Sequence, residues 1–256
     1  MLMFWFGLFM SAFGGEITVS TLNIGHGRGT GTHQITQSKG QILQNIDLIA
    51  EEVLLIKPDV LALQEADVKA WWSGNTPQST YLASLLQMSH VVVGEHSHRK
   101  RLNYGTSLIS QSKLQEVDSQ RTPSTFPLPP KGFVMATVMV ERQPIVVVSI
   151  HLDPFKASVR DTQIDTLVAE LKDVDAPLII MGDFNVEWGQ ELDVYCSRLN
   201  VSPYDPLNQD STFPKLNLRL DWILASKEFA FAQYQTHGIA LSDHRLLSAT
   251  LVLSTK

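Results

Sequence analysis

With 256 residues, 44% of them hydrophobic and 18% charged, the chain can bury a sizeable core in one domain, which excludes disorder as its main state. Glycine (15) and proline (12) occur at ordinary levels and no period runs through the chain, so collagen-like, solenoid and low-complexity architectures fall away. A net charge of −6 excludes a broad basic surface for nucleic acid, and the single cysteine, Cys196, excludes an internal disulfide and a thiolate metal cage. Any metal must rest on oxygen or imidazole.

Residues 1–13, MLMFWFGLFMSAF, are apolar but too short for the ~20 residues of a membrane-spanning helix. They read as a signal h-region, with Ala12 and Gly14 as the small residues of a cleavage site, although no basic residue precedes them. On this expectation residues 1–14 are removed, 15–256 form one domain, and the protein is periplasmic or secreted. The competing readings are a buried first strand and a short anchor left uncleaved.

After this segment ITVSTLNI (17–24) predicts a strand, and Ile42, Ile46, Ile49, Val53 and Ile56 recur at helical spacing over about 38–56. DVLALQE (59–65) predicts a second strand, giving a βαβ opening. Trp71 and Trp72 follow in a polar loop, where they could stack a base, dip into a lipid interface or cover the core. Strands follow at VVVGE (91–95), GTSLIS (105–110), VMATVMV (134–140) and IVVVSIHL (145–152), then a helix over Val159–Leu171. PLIIMGDFN (177–185), LRLDWILAS (218–226) and HRLLSATLVL (244–253) complete the strands; 73–79, 119–132 and 201–217 read as loops. Strands outnumber helices, and no composition shift divides the chain. The pattern predicts an α/β fold with two sheets packed face to face and helices outside.

Polar residues cluster where these apolar runs end: Asn23, Glu65, His151, Asp183, Asn185, Asp243 and His244. Strand ends are where a sheet projects side chains into a shared cleft. Carboxylate and amide oxygens suit magnesium or manganese, and with no HExxH or cysteine cluster zinc is less favoured. Taken singly, each residue has an ordinary reading: Glu65 a solvated carboxylate, His151 a half-buried histidine satisfied by backbone, Asp183 a helix cap.

Their order points further. TLNIGHG, DVLALQEAD, YGTSLIS, VVVSIHLD, IIMGDFN, STFP, RLDWILAS and SDHRLL, spread over about residues 17–253, resemble the endonuclease/exonuclease/phosphatase superfamily, the deoxyribonuclease-I-like metal-dependent phosphoesterases. The bacterial metal-dependent hydrolase branch is the most similar, with NIGHG and RLDWI as mild departures from its NIHxG and RIDYI. The resemblance implies a four-layered α/β sandwich: two packed, largely antiparallel sheets flanked by helices. It also implies a centre using Mg2+ or Mn2+. By the same resemblance Glu65 is the principal metal-binding glutamate, Asn23 supports metal and phosphate, and Asp243 assists the metal. Asp183 and Asn185 position the attacking water, while His244 is the catalytic histidine, oriented by Asp221. His151 is similar to a second histidine that abasic-site nucleases lack, which disfavours a repair nuclease.

His26, in the Gly25–Gly29 turn near Asn23, is a candidate substrate contact, and so are Arg99 and Arg101, with Lys100, as an anion-guiding rim. His33, His90, His96, His98 and His237 carry no pattern and are expected at the surface. Gly182 is expected to serve close backbone approach or positive φ. The expected activity is metal-dependent hydrolysis of a phosphate ester, a small ester or phospholipid head group being favoured over nucleic acid. Peripheral membrane contact is compatible, and the protein is expected to be monomeric. The alternatives are a secreted deoxyribonuclease of the same mechanism and a non-catalytic binding protein on the same scaffold.

Overall fold

Helix α1 (Lys39–Ile56) forms where the isoleucine spacing predicts it, and Ile42, Ile46, Ile49 and Val53 are its buried stripe. A capping box starts it: Ser38 Oγ accepts from the Gln41 N–H at 3.2 Å while the Gln41 side chain accepts from the Ser38 N–H at 2.9 Å. Lys57 in the left-handed region ends it. The computed structural model describes residues 15–99, 102–207 and 210–254; the apolar segment 1–14 read as a signal, and Lys100 and Arg101, lie outside the described residues.

The helix lies on a sheet of six strands ordered β11-β12-β1-β2-β4-β3: Phe229–Ala240, Arg245–Leu253, Glu16–Asn23, Val60–Ala70, Leu102–Ser110 and His90–Arg99. A second six-stranded sheet runs β5-β6-β7-β8-β10-β9: Gln115–Thr122, Lys131–Val140, Gln143–His151, Leu178–Asp183, Asp221–Ser226 and Val201–Pro203. Only β1/β2 and β7/β8 pair in parallel, as expected of a largely antiparallel sandwich. Helices α1 and α2 (Gln78–Leu86) cover the first sheet; α3 (Ala157–Leu171) and α4 (Gln190–Leu199) cover the second.

Three apolar layers hold these four. Between the sheets lie Val19, Val60, Ala62, Val147, Ile179, Met181, Ile223, Leu247 and their neighbours. The period of two along each strand carries this inner face onward from Val19 to Thr21 and Asn23, from Ala62 to Gln64, from Val147 to Ser149 and His151, and from Met181 to Asp183. The inner layer thus turns from aliphatic to polar towards one end. Gln64 Nε2 donates to Ser149 Oγ at 3.1 Å, a polar link between the sheets ahead of that end.

Several elements depart from expectation. The 119–132 segment is strand up to Thr122, helix α2 begins inside the 73–79 turn region, and α4 and β11 had no counterpart in the sequence reading. His96 and His237 are buried rather than at the surface, satisfied by Thr106 Oγ1 and Ser248 Oγ, each at 2.9 Å. Burial lowers the His96 pKa to about 3, with Lys131 and Arg121 adding to the effect.

Gly182 meets both expectations: its φ is +146°, and a Cβ there would stand 2.1 Å from the Ile150 carbonyl oxygen. Neither strand can retreat, because β7 and β8 pair through this point. Gly182→Ala is expected to cost about 1–3 kcal/mol, the scale of core overpacking, read as a lower urea midpoint with unchanged slope.

Candidate active site

The polar end of the sandwich is built by register. In β7, β8 and β10, His151 pairs with Asp183 and Asp183 with Asp221, so three side chains stand in one row on the inner face. From the other sheet, Asn23 closes β1 and His244 precedes β12. All five are buried.

Asp183 is the hub. Its Oδ2 accepts from Asn23 Nδ2 at 2.9 Å and lies 3.5 Å from His151 Nε2 and 3.7 Å from His244 Nε2. Its Oδ1 accepts from the Asn185 backbone N–H at 3.0 Å, while the Asn185 amide donates to the Leu152 carbonyl at 2.9 Å. Asn185 adopts φ +53°, which turns the chain back beneath the carboxylate. Burial and the neighbouring Asp221 raise the Asp183 pKa to about 7, against the opposing pull of His244, Asn23 and Lys131.

His244 Nδ1 lies 2.7 Å from Asp221 Oδ2; a carboxylate can only accept, so Nδ1 carries the proton. Burial opposes charge on this imidazole, yet Asp221 and Asp183 raise its pKa to about 10. Two sequence motifs acquire local roles here. In SDH, Ser242 Oγ donates to the Asn23 carbonyl and accepts from the His244 N–H, tying β12 to β1. In STFP, Thr212 Oγ1 accepts the Asp221 N–H at 3.0 Å, and the Phe213 ring stands 5.0 Å from that of His244.

Across the cleft, Glu65 leaves the strand pattern. A register break in the β2/β4 ladder and a φ of +51° re-aim a side chain that alternation would direct away from the inner face. Its Oε1 lies 3.3 Å from Lys131 Nζ; its Oε2 lies 3.4 Å from Arg28 Nη1 and 3.6 Å from His26 Nε2. Burial favours the protonated acid, but Lys131, His26, His151 and Arg28 hold the Glu65 pKa well below the usual carboxylate range. Arg28 also pairs with Asp243.

Lys131 and Arg28 escaped the sequence reading. The signal for Arg28 was its place two residues from His26; that for Lys131 was the pairing of Gly132 with His151, visible only once the strands are aligned. Lys131 Nζ donates to His151 Nε2 at 2.9 Å, and burial together with this ammonium holds the His151 pKa well below normal. His26 meets a third unforeseen residue, buried Asp67, at 2.8 Å, whose other oxygen accepts from Trp72 Nε1. Trp72 thus braces His26 edge-on, while Trp71 is 54% exposed. Arg99 ends β3, and Arg101 falls outside the described residues.

The donor chemistry fits a hard divalent cation. Among the described residues, Asp183, Asp221 and His244 form a group whose ligand atoms all lie within 4.8 Å of one another and could hold a metal ion. Asp221 and Asp243 each keep one buried oxygen without a hydrogen-bond partner. Glu65, Asn23 and Asp243, the expected ligands, face the same cleft from its other wall, joined through Arg28 and Asp183.

Beside the cleft, fully buried Asp153 clasps two loops: it accepts from Thr125 N–H and Oγ1 at 2.6 and 2.9 Å, and from the N–H groups of Phe155 and Lys156, each at 2.9 Å. Burial raises its proton affinity, but these donors prevail and keep its pKa below normal. Phe126 and Phe155, held by this clasp, are 93% and 68% exposed. A separate cavity of about 570 Å3, lined by Leu171, Leu178, Leu199 and Ser226, opens at the opposite ends of β8 and β10 and holds none of these groups.

A sequence model of the Endonuclease/Exonuclease/phosphatase family matches residues 20–244. No curated protein matches significantly in sequence. Among solved structures, an endonuclease/exonuclease/phosphatase from Bacteroides vulgatus superposes with TM-score 0.76 at 15% identity, covering 93% of this chain and 99% of its own. A family protein from Bacteroides thetaiotaomicron gives 0.74 at 17%, covering 94% and 99%. A mannosyl-6-phosphatase from Bacteroides thetaiotaomicron gives 0.71 at 17%, covering 93% and 100%. At these identities the likeness is one of fold.

The Asp221–His244 pair has a pH signature. With the folded-state pKa raised to about 10, the pair's contribution to stability is complete below the ordinary histidine value of about 6.5 and is lost as pH rises through about 10. With a chelator present, Asp221→Asn is therefore expected to lower stability more at neutral pH than above about pH 10 in urea melts. Nitrogen NMR of His244 should show the variant losing its proton at lower pH than the native protein.

Proposed function

Because the chain belongs to the endonuclease/exonuclease/phosphatase family, a family of phosphoester hydrolases, we propose that this cleft hydrolyses a phosphate ester with a divalent cation bound. The observation that carries the reading is Asp183 between two imidazoles, with a carboxylate behind the charged one and a cation-lined wall opposite.

The residues divide the work by charge. Asp183, with its pKa near neutrality, is matched to accept the proton of an attacking water. His244, protonated and fixed by Asp221, stabilises negative charge as it develops on the phosphoryl group. In-line displacement sets the attacking and leaving oxygens on opposite sides of phosphorus. Asp183 and His244, 3.7 Å apart, stand too close to serve both ends, so they serve the attacking water. Lys131 and Arg28, on the wall that holds Glu65, supply positive charge towards the leaving oxygen and the non-bridging oxygens. His151 stays neutral, its Nε2 accepting from Lys131, and stands 3.5 Å from Asp183 on the side opposite His244.

Glu65, Asn23 and Asp243 would hold the cation, Mg2+ or Mn2+, with the Asp183–Asp221–His244 group beside them. When bound, it neutralises phosphoryl charge and polarises water.

Substrate follows from charge. The net charge is −6, and Lys131 and Arg28, which face the scissile phosphoryl group and are shared with Glu65, Asp243 and His151, leave few contacts for a polyanionic backbone. A small phosphate ester or phospholipid head group fits this balance better than duplex DNA, and the fold likeness to a mannosyl-6-phosphatase accords with a small ester.

Hydrolysis of a bis-aryl phosphate is expected to cease in chelator and return with Mg2+ or Mn2+; His244→Ala and Asp183→Asn should each lower turnover by roughly 10² or more. Full activity in chelator, or unaltered turnover in both variants, overturns the reading. Duplex DNA should bind weakly, with a shallow salt slope, since each phosphate contact adds about −0.9. Efficient plasmid nicking with a steep slope would shift the assignment to a deoxyribonuclease.

A further inference from the structure

Arg28 stands between the two carboxylates that bring Glu65 and Asp243 to the cleft. Its Nη1 lies 3.4 Å from Glu65 Oε2 and donates to the Gly25 carbonyl at 3.1 Å; its Nη2 pairs with Asp243 Oδ2. The side chain is only 15% exposed, and the salt bridges sit at the end of a turn whose Gly25, His26 and Gly27 all have positive φ. The turn sets where Arg28 starts, and three contacts from its guanidinium, to Gly25, Glu65 and Asp243, fix where it ends.

The surroundings are those of a cation site. The Glu65 oxygen that meets Arg28 also lies 3.6 Å from His26 Nε2, while His26 Nδ1 lies 2.8 Å from Asp67 Oδ1. Asp67 can only accept, so Nδ1 carries a proton and Nε2 faces the Glu65 carboxylate. A carboxylate behind one imidazole nitrogen is also the usual support of a metal-ligating histidine. The remaining Asp243 oxygen, Oδ1, is buried without a partner.

We propose that Arg28 is a resident counter-cation of this centre: it neutralises Glu65 and Asp243 when no divalent ion is bound, and its charge competes with a divalent ion for both carboxylates. The inference rests on the metal-dependent reading above. Two carboxylates that share one guanidinium repel one another when bare, and burial leaves little water to screen them. The guanidinium relieves this with one charge and two directed contacts. It thereby gives the chain a stable metal-free state and weakens its hold on the ion.

The test is Mn2+ binding to the full chain without substrate, read from the electron paramagnetic resonance signal of free Mn2+ and from the rise in unfolding temperature with added Mn2+. Arg28→Gln removes the charge and is expected to tighten binding roughly tenfold or more, the low end of what an opposite charge at this range does to a carboxylate's cation affinity. Arg28→Lys keeps the charge and should stay near the native affinity. Should Arg28→Gln unfold alone, Mn2+ is expected to restore it. Unchanged or weaker affinity in Arg28→Gln, equal tightening in Arg28→Lys, failure of Mn2+ to restore an unfolded variant, or no Mn2+ binding by any of the proteins overturns the proposal. Failure of the underlying reading looks different: tightened Mn2+ binding in a protein that hydrolyses no phosphate ester overturns the phosphoesterase assignment alone, and hydrolysis with unaltered affinity overturns this inference alone.

Discussion

The strand register that sets His151, Asp183 and Asp221 side by side is the constraint on which the rest of the structure depends. Side chains in a sheet alternate with a period of two, so a slip of one residue in β7, β8 or β10 would send its polar group to the helix-covered face and an aliphatic residue into the cleft. The slip is opposed far from the chemistry. Val147, Ile179 and Ile223 share the face of the row and pack against β1 and β2, so the core that excludes water also indexes the site. Gly182 matters for the same reason: it allows β7 and β8 to close up where the row begins.

Burying that row takes charge out of water, and the molecule answers by giving its two aspartates partners from the opposite sheet and its histidine one from the neighbouring strand. Asn23 donates to Asp183, His244 pairs with one oxygen of Asp221, and Ser242 holds both Asn23 and His244. On the other wall one glutamate attracts two cations and an imidazole. Opposite charge states follow for two equally buried histidines: His244 between two aspartates keeps its proton against the pull of burial, and His151, where burial is reinforced by an ammonium, gives it up.

Much of this was legible before the fold was. Strands of buried aliphatics and the α1 stripe are periodic signals, and polar residues at the strand ends marked seven candidates that face one cleft. What escaped depended on contacts between distant segments. β5 is an exposed edge whose QEVDSQRT has little apolar alternation, and α4 combines few apolar residues with a start at Gly189. His96 and His237 carry no local sign that a hydroxyl across the ladder will satisfy them. Arg28, Asp67 and Lys131 reach the cleft through a turn of positive φ, a bulge in β2 and the β6/β7 register, none of which has a one-dimensional signature.

Asp153 links two loops that the chain separates by an entire hairpin, and in doing so makes them one unit. Its carboxylate is consumed by donors from both, so neither loop can be redrawn without leaving buried acceptors or backbone donors unmatched on the other. Divergence at this rim is then constrained to paired change. A segment grafted from a relative in place of 123–130 would have to bring its own 153–156, and the exposed rings of Phe126 and Phe155 would be inherited together or lost together. The unit of substitution at this edge of the cleft is the clasped pair, not the single loop.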